Sequence, residues 1–130
     1  MSTLTVINIV LATLLGAYVL YELVNWYMRK KSATVVDAQE FGKDLRRVQL
    51  VDVREKDDFK AGHILGARNI PSTQFKERFT ELRKDIPIYL YDGGAVLAGR
   101  AAYRLKKNGY SNIFILKGGF ESWTGKIKKG

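Results

Sequence analysis

The chain has 130 residues, of which 46% are hydrophobic and 27% are charged, and its formal net charge at pH 7 is +9. It contains no cysteine and one histidine, which excludes disulfides and a cysteine nucleophile and argues against a zinc site built by the protein. We therefore expect no metal and no cofactor. The positive charge does not predict nucleic-acid binding, because no recognition motif accompanies it, and it suits an anionic membrane surface equally well.

The first predicted element is a membrane-spanning helix. Residues 4–24 form an apolar run of about 21 residues, which is about 31 Å long as an α-helix and matches the thickness of a bilayer. Asn8 and Glu22 are the strongly polar residues within it. Aromatic residues at 26–27 and a basic cluster at 29–31 follow, as at a membrane–water interface.

This segment is expected to remain as an anchor, because the uncharged start of the chain does not resemble a signal peptide. The basic cluster follows the helix, so the positive-inside rule predicts an external N-terminus and a cytoplasmic main domain. The predicted division is an anchor with its basic flank at residues 1–31 and a domain at residues 32–130. The alternative is a buried core helix, but no other segment is long and apolar enough to surround one.

Beyond the anchor, strand-like runs alternate with amphipathic helical segments, which is typical of an α/β domain with a mainly parallel sheet. Asp37 and Glu40 are placed to cap a helix that runs through Leu45. Ser72 is placed to cap a helix with an apolar face of Phe75, Phe79 and Leu82. The predicted strands are residues 33–36, 48–53, 67–70, 86–91 and 113–116, and further helical segments are predicted at 57–61, at about 98–108 and after Gly118-Gly119.

Several ordered motifs resemble those of the rhodanese family. The first is LVDVRE at 50–55, followed by Asp58-Phe59 and by GHILGARNIP at 62–71. The second is GYSNI at 109–113, followed by LKGGF at 116–120 and by Trp123. The resemblance covers roughly residues 33–125, and motifs in this order are specific. It implies a rhodanese-like, five-stranded parallel sheet flanked by helices, with the active-site loop after the fourth strand and ahead of a helix.

In active members of that family this loop begins with a cysteine and usually contains an arginine a few residues later. The resemblance puts Asp92 at the cysteine position and Leu97 at the arginine position. A carboxylate cannot hold sulfur as a persulfide, and leucine cannot supply the cationic or bidentate contact that an arginine gives to an oxyanionic sulfur donor. The resemblance therefore implies a membrane-anchored domain without sulfurtransferase activity of its own, and we assign no catalytic residue.

The former active-site mouth remains a candidate binding site. We expect the Asp92 carboxylate to accept hydrogen bonds from the amides of residues 94–97, or to cap the following helix. Asp52 and Arg54 are expected to support the neighbouring loops as an ion pair, and His63 to order its loop by hydrogen bonding. Arg100 is the best remaining anion contact. The candidate binding residues are Asp92, Gly93, Gly94, Ala95, Val96, Leu97, Arg100 and Arg54.

The first functional hypothesis is a non-catalytic module at the cytoplasmic face of the membrane that binds a protein or a small anion through this mouth. The second is an enzyme: either a sulfurtransferase completed by a partner's cysteine, or a hydrolase that uses Asp92 as nucleophile. The hydrolase is disfavoured because no neighbouring carboxylate pair accompanies Asp92. The third hypothesis is a structural subunit of a membrane complex, in which Asn8 and Glu22 mark helix contacts.

Overall fold

The computed structural model describes residues 2–30, 32–94 and 96–130. Its first element, α1 (Thr3–Lys30), is long and apolar enough over Thr3–Met28 to cross a membrane, by length and composition. None of this apolar stretch is buried inside the protein. The alternative of a buried core helix therefore does not describe α1, whose apolar side chains point outward along its whole length.

The remainder of the chain is built on a five-stranded, fully parallel sheet. Its strands are β1 (Thr34–Val36), β2 (Gln49–Asp52), β4 (Arg68–Asn69), β5 (Ile88–Tyr91) and β6 (Ile113–Leu116), in the spatial order β1-β6-β5-β2-β4. The helices are α2 (Ala38–Phe41), α3 (Lys56–Ala61), α4 (Phe75–Arg78) and α5 (Val96–Lys107). The five-stranded parallel sheet flanked by helices that the sequence predicts is confirmed.

Side chains of the central strands alternate between two cores, one on each face of the sheet. Val51 and Leu90 belong to one core, which the inner face of α5 also lines through Ala98 and Leu105. The second core contains Phe41 of α2 together with Leu50, Tyr91 and Leu116. Because both faces are covered, the strands are apolar at nearly every position, as parallel strands usually are.

The predicted helix after Ser72 is not continuous. Two short 3₁₀ turns, Ser72–Gln74 and Phe79–Glu81, flank α4, and the structure gives no hydrogen bond from the Ser72 side chain. The apolar stripe nevertheless packs as predicted, since Phe75 and Leu82 are buried in the core beneath α5 and Phe79 packs against it.

The helix capped by Asp37 is also shorter than predicted. The Glu40 amide donates to Asp37 Oδ1 at 2.8 Å, but α2 ends at Phe41, and a 3₁₀ turn at Leu45–Arg47 follows. A second, two-stranded antiparallel sheet, between β3 (His63–Ile64) and β7 (Ile127–Lys128), was not predicted from the sequence.

Candidate functional site

Asp92 directly follows β5, the fourth strand of the main sheet in chain order and one of its three inner strands. The loop that it begins leads into α5. The site therefore lies where a parallel strand ends and a helix begins, which is the usual position for a ligand in an open α/β sheet. Asp92 is buried, with 2% of its surface exposed.

The Asp92 carboxylate accepts three backbone hydrogen bonds. Oδ1 accepts from the amide of Gly94 at 2.9 Å, and Oδ2 accepts from the amides of Leu97 at 2.8 Å and Ala98 at 3.2 Å. The carboxylate thus binds the loop through Gly94 and the start of α5 through Leu97, as expected, and it also binds the Ala98 amide, which was not predicted. Ala95 lies outside the described residues. The amides that would otherwise face a bound anion are thus occupied by a carboxylate of the chain itself.

The Gly118-Gly119 motif contacts this loop closely. The Phe120 amide donates to the Asp92 carbonyl at 2.7 Å, and Gly119 adopts a positive φ of 70°. A Cβ atom at Gly119 would lie 2.5 Å from that same carbonyl oxygen. Glycine is required here because both the backbone angle and the space exclude a side chain. The sequence motif predicted a helix start at this point but gave no sign that it supports the loop.

Arg54 is not a free cation but forms a largely buried ion pair with Asp52. Its Nη2 donates to Asp52 Oδ2 at 2.7 Å and to the Gly62 carbonyl at 2.6 Å, and the guanidinium carbon lies 4.2 Å from the centre of the Phe120 ring. Burial lowers the pKa of Arg54, but the hydrogen bond and charge of Asp52 raise it by more, so the net shift is upward. Arg54 therefore stays charged, and Asp52 compensates its charge. The two residues form the ion pair that was predicted to support the neighbouring loops.

His63 orders the segment between α3 and β3 through its contacts with Phe59. Its Nδ1 lies 2.8 Å from the Phe59 carbonyl, and its ring stacks on the Phe59 ring with 3.7 Å between centroids. It is buried, and the adjacent Ile64 amide donates to the Tyr91 hydroxyl at 3.0 Å. Burial is the main cause that raises the pKa of Tyr91. These contacts fit the expected ordering role of His63.

A cavity of about 430 Å³ opens beside the loop. Three of its lining side chains are carboxylates, those of Glu55, Asp58 and Asp92, and its one cation is the paired Arg54. The remaining lining residues are Gly93, Gly94, Val96 and Leu97. Six of the eight candidate binding residues therefore line this cavity, and a seventh, Ala95, lies outside the described part of the chain.

Arg100 lies elsewhere. It is exposed and lines a different cavity, between α5 and the end of α1, together with residues such as Tyr103 and Asn25. From α5 its side chain faces α1 and not the loop, so the structure does not group it with the other candidate residues. Among the residues that the structure describes, no cluster of His, Asp or Glu could hold a metal ion.

Comparison with known proteins agrees with the fold. The sequence pattern of the rhodanese-like domain family matches residues 33–126. The chain is 44% identical over 121 residues to the uncharacterized protein YqhL of Bacillus subtilis, covering 93% of this chain and 96% of that protein. It is 27% identical to the thiosulfate sulfurtransferase GlpE of Coxiella burnetii, covering 74% of this chain and 89% of that one.

The fold has solved counterparts. The crystal structure of the BH2092 protein of Bacillus halodurans superposes with a TM-score of 0.66 at 28% identity, covering 84% of this chain and 85% of that one. The family pattern spans the whole sheet, from β1 to the turn that follows Trp123, and it includes the Asp92 loop. The chain belongs to the rhodanese-like domain family.

Proposed function

We propose that this protein is a membrane-anchored rhodanese-like domain without sulfurtransferase activity of its own, and that it binds a partner through the mouth of the Asp92 loop. The observation that carries the proposal is the Asp92 carboxylate, which accepts the amide hydrogen bonds of Gly94, Leu97 and Ala98. In an active member of the family, loop amides would stabilise a thiolate and its persulfide. Here they are occupied by an oxygen acid.

The chemistry of the residues supports inactivity. The chain contains no cysteine, so no thiolate is available to attack a sulfur donor. Leu97 lines the mouth, where the family resemblance places an arginine, and it offers no hydrogen bond to an oxyanion from its side chain. The chain resembles a protein named as a thiosulfate sulfurtransferase over most of its length, but it lacks the thiol and, at Leu97, the guanidinium that the family resemblance calls for.

The charges at the mouth favour a protein partner over a small free anion. Glu55 and Asp58 line the cavity beside Asp92, while Arg54 is already paired with Asp52. A small anion would meet three carboxylates and no uncompensated cation, which is electrostatically unfavourable. Val96 is 67% exposed at the rim, and it offers an apolar contact to a protein surface that also carries a cationic group.

The helix α1 supports a location at the membrane. It exposes its apolar side chains over the length of a bilayer, and basic residues 29–31 follow its apolar stretch, Thr3–Met28. By the positive-inside rule we place the N-terminus outside and the rhodanese-like domain at the cytoplasmic face. A protein-binding mouth is then held close to other membrane proteins.

A sulfur-transfer assay tests the inactivity. The full chain, purified in a mild detergent, is expected to produce no thiocyanate from thiosulfate and cyanide above the rate without protein. A cysteine-containing member of the family, assayed in the same detergent, is the positive control. Turnover by the full chain that is lost in Asp92→Ala would overturn the proposal, and turnover that appears only with an added cysteine protein would favour the partner-completed enzyme.

Cysteine labelling tests the orientation, because the natural chain has no competing thiol. In intact cells a membrane-impermeant maleimide is expected to label Ser2→Cys and not Ser111→Cys. Both positions are exposed and flank the predicted membrane span. After the cells are opened, both variants should react. The reverse pattern would show an external domain and contradict the proposed topology.

A further inference from the structure

A groove between α1 and α5 has a different character from the Asp92 mouth. Its volume is about 740 Å³. The end of α1 contributes Tyr21, Glu22 and Asn25, and α5 with the residue after it contributes Arg100, Tyr103, Arg104, Lys107 and Asn108. The two helices are joined here by a hydrogen bond of 3.3 Å from the Tyr103 hydroxyl to Asn25 Oδ1.

Three cations share this face of α5. Arg100, Arg104 and Lys107 are spaced by four and three residues, so they lie in one row along the helix. The opposite face of α5 is buried through residues such as Ala98 and Leu105. Within the described ranges none of the three cations forms a salt bridge, although Glu22 lines the same groove.

The dipole of α5 does not explain the row. Cations near the C-terminal end of a helix are favoured, which accounts for Lys107 and in part for Arg104. Arg100 lies in the second turn of α5, outside the C-terminal turn in which the dipole favours cations. The three neighbouring cations repel one another, and the one carboxylate that lines the groove, Glu22, does not balance their charge, so the groove is best suited to an anion with several acceptor oxygens.

The position of the groove identifies the source of that anion. Glu22 and Asn25 lie near the C-terminal end of the apolar stretch Thr3–Met28, close to the level of the lipid headgroups if α1 spans a bilayer. A phosphate at this depth is part of a phospholipid. Arginine can bind phosphate oxygens in a bidentate manner, and lysine adds a point charge.

We propose that the groove between α1 and α5 binds the headgroup phosphate of an anionic phospholipid through Arg100, Arg104 and Lys107. This inference rests on the proposed membrane anchoring. The bound lipid fixes α5 on the membrane surface. Because α5 begins at the Asp92 loop, it also fixes the orientation of the binding mouth relative to the bilayer.

Native mass spectrometry of the full chain in mild detergent tests the proposal, with added phosphatidylglycerol, phosphatidylcholine or inorganic phosphate. The natural chain is expected to prefer phosphatidylglycerol over phosphatidylcholine by about tenfold or more. The variant R100Q/R104Q/K107Q should lose that preference. The matched control K76Q/K117Q/K129Q removes three exposed cations outside the groove and should retain it. The single variant R100Q should lose part of the preference. Because it changes one exposed residue, it tests the groove even if the triple variant does not fold.

Several results would overturn the inference. Equal losses in the two triple variants would show a general effect of charge, and equal binding of the two lipids would exclude headgroup recognition. Tight binding of inorganic phosphate without a lipid preference would assign the groove to a soluble anion. Extraction of the natural chain from membranes by alkaline carbonate would instead refute the anchoring itself. If the chain is retained but R100Q/R104Q/K107Q keeps its preference, the groove inference alone fails.

Discussion

Replacing Asp92 with alanine is expected to lower the free energy of unfolding by about 2–3 kcal/mol. The substitution removes the acceptor for three amides, and two of these, at Leu97 and Ala98, lie in the first turn of α5. Ala98 is fully buried, so water cannot readily replace the carboxylate there. The Gly94 amide lies on an exposed residue and can be hydrated, which limits the total loss.

The more conservative Asp92→Asn should cost about 1 kcal/mol, because one acceptor oxygen remains and the charge is lost. Urea-induced unfolding of the full chain in detergent, followed by circular dichroism, measures both changes. Asp57→Ala is the matched control, since it removes an exposed aspartate in the first turn of α3 for which the structure gives no side-chain hydrogen bond, and its effect should stay within about 1 kcal/mol. A stability of Asp92→Ala equal to that of the control would mean that the carboxylate is not a structural part of the loop.

The sequence predicts the sheet well because the strands carry their information locally. Residues 113–116 are predicted and observed as a strand, and the inner strands β2 and β5 lie within the predicted ranges. In a parallel sheet covered on both faces, each such strand is a continuous apolar run between polar turns, and that pattern is visible without knowledge of the partners. The loop after β5 follows from the same strand boundaries.

Features that depend on tertiary contacts are less predictable. The strand β3 covers two residues and pairs with β7, which is far away in the sequence, so neither has a local pattern of its own. Likewise, the spacing of Phe75, Phe79 and Leu82 predicts their burial correctly but not the breaks between α4 and its flanking 3₁₀ turns. Periodicity reports which side is buried, and the hydrogen bonding within the segment depends on what it packs against.

The two arginines of the candidate site show the same limit. Arg54 and Arg100 were both chosen as candidates from their positions in the sequence, and a position in the sequence does not show in which direction a side chain points. Arg54 turns toward Asp52 and the rim of the cavity, while Arg100 projects from the side of α5 that faces α1. The position of a residue on a helix decides this direction, and the contact between α1 and α5 could not be inferred from the chain alone.

A thiol at position 92 is expected to give this scaffold sulfurtransferase activity. In Asp92→Cys the amides that now bind the carboxylate would stabilise a thiolate at the start of α5. The thiolate would attack the outer sulfur of thiosulfate, forming a persulfide and releasing sulfite, and cyanide would then remove that sulfur as thiocyanate. A mass gain of one sulfur atom on the protein reports the first step, and thiocyanate formation reports the cycle.

Adding Leu97→Arg should raise kcat/KM for thiosulfate by about tenfold or more over Asp92→Cys, since a guanidinium at the mouth can bind the oxyanion. Activity should remain modest, because Glu55 and Asp58 still repel an anionic substrate. Asp92→Ser, whose hydroxyl cannot hold a persulfide, and Leu97→Arg alone should be inactive. If Asp92→Cys folds but never acquires sulfur, this loop does not bind a persulfide as the loop of an active rhodanese does. The absence of a thiol would then not explain why the natural chain transfers no sulfur.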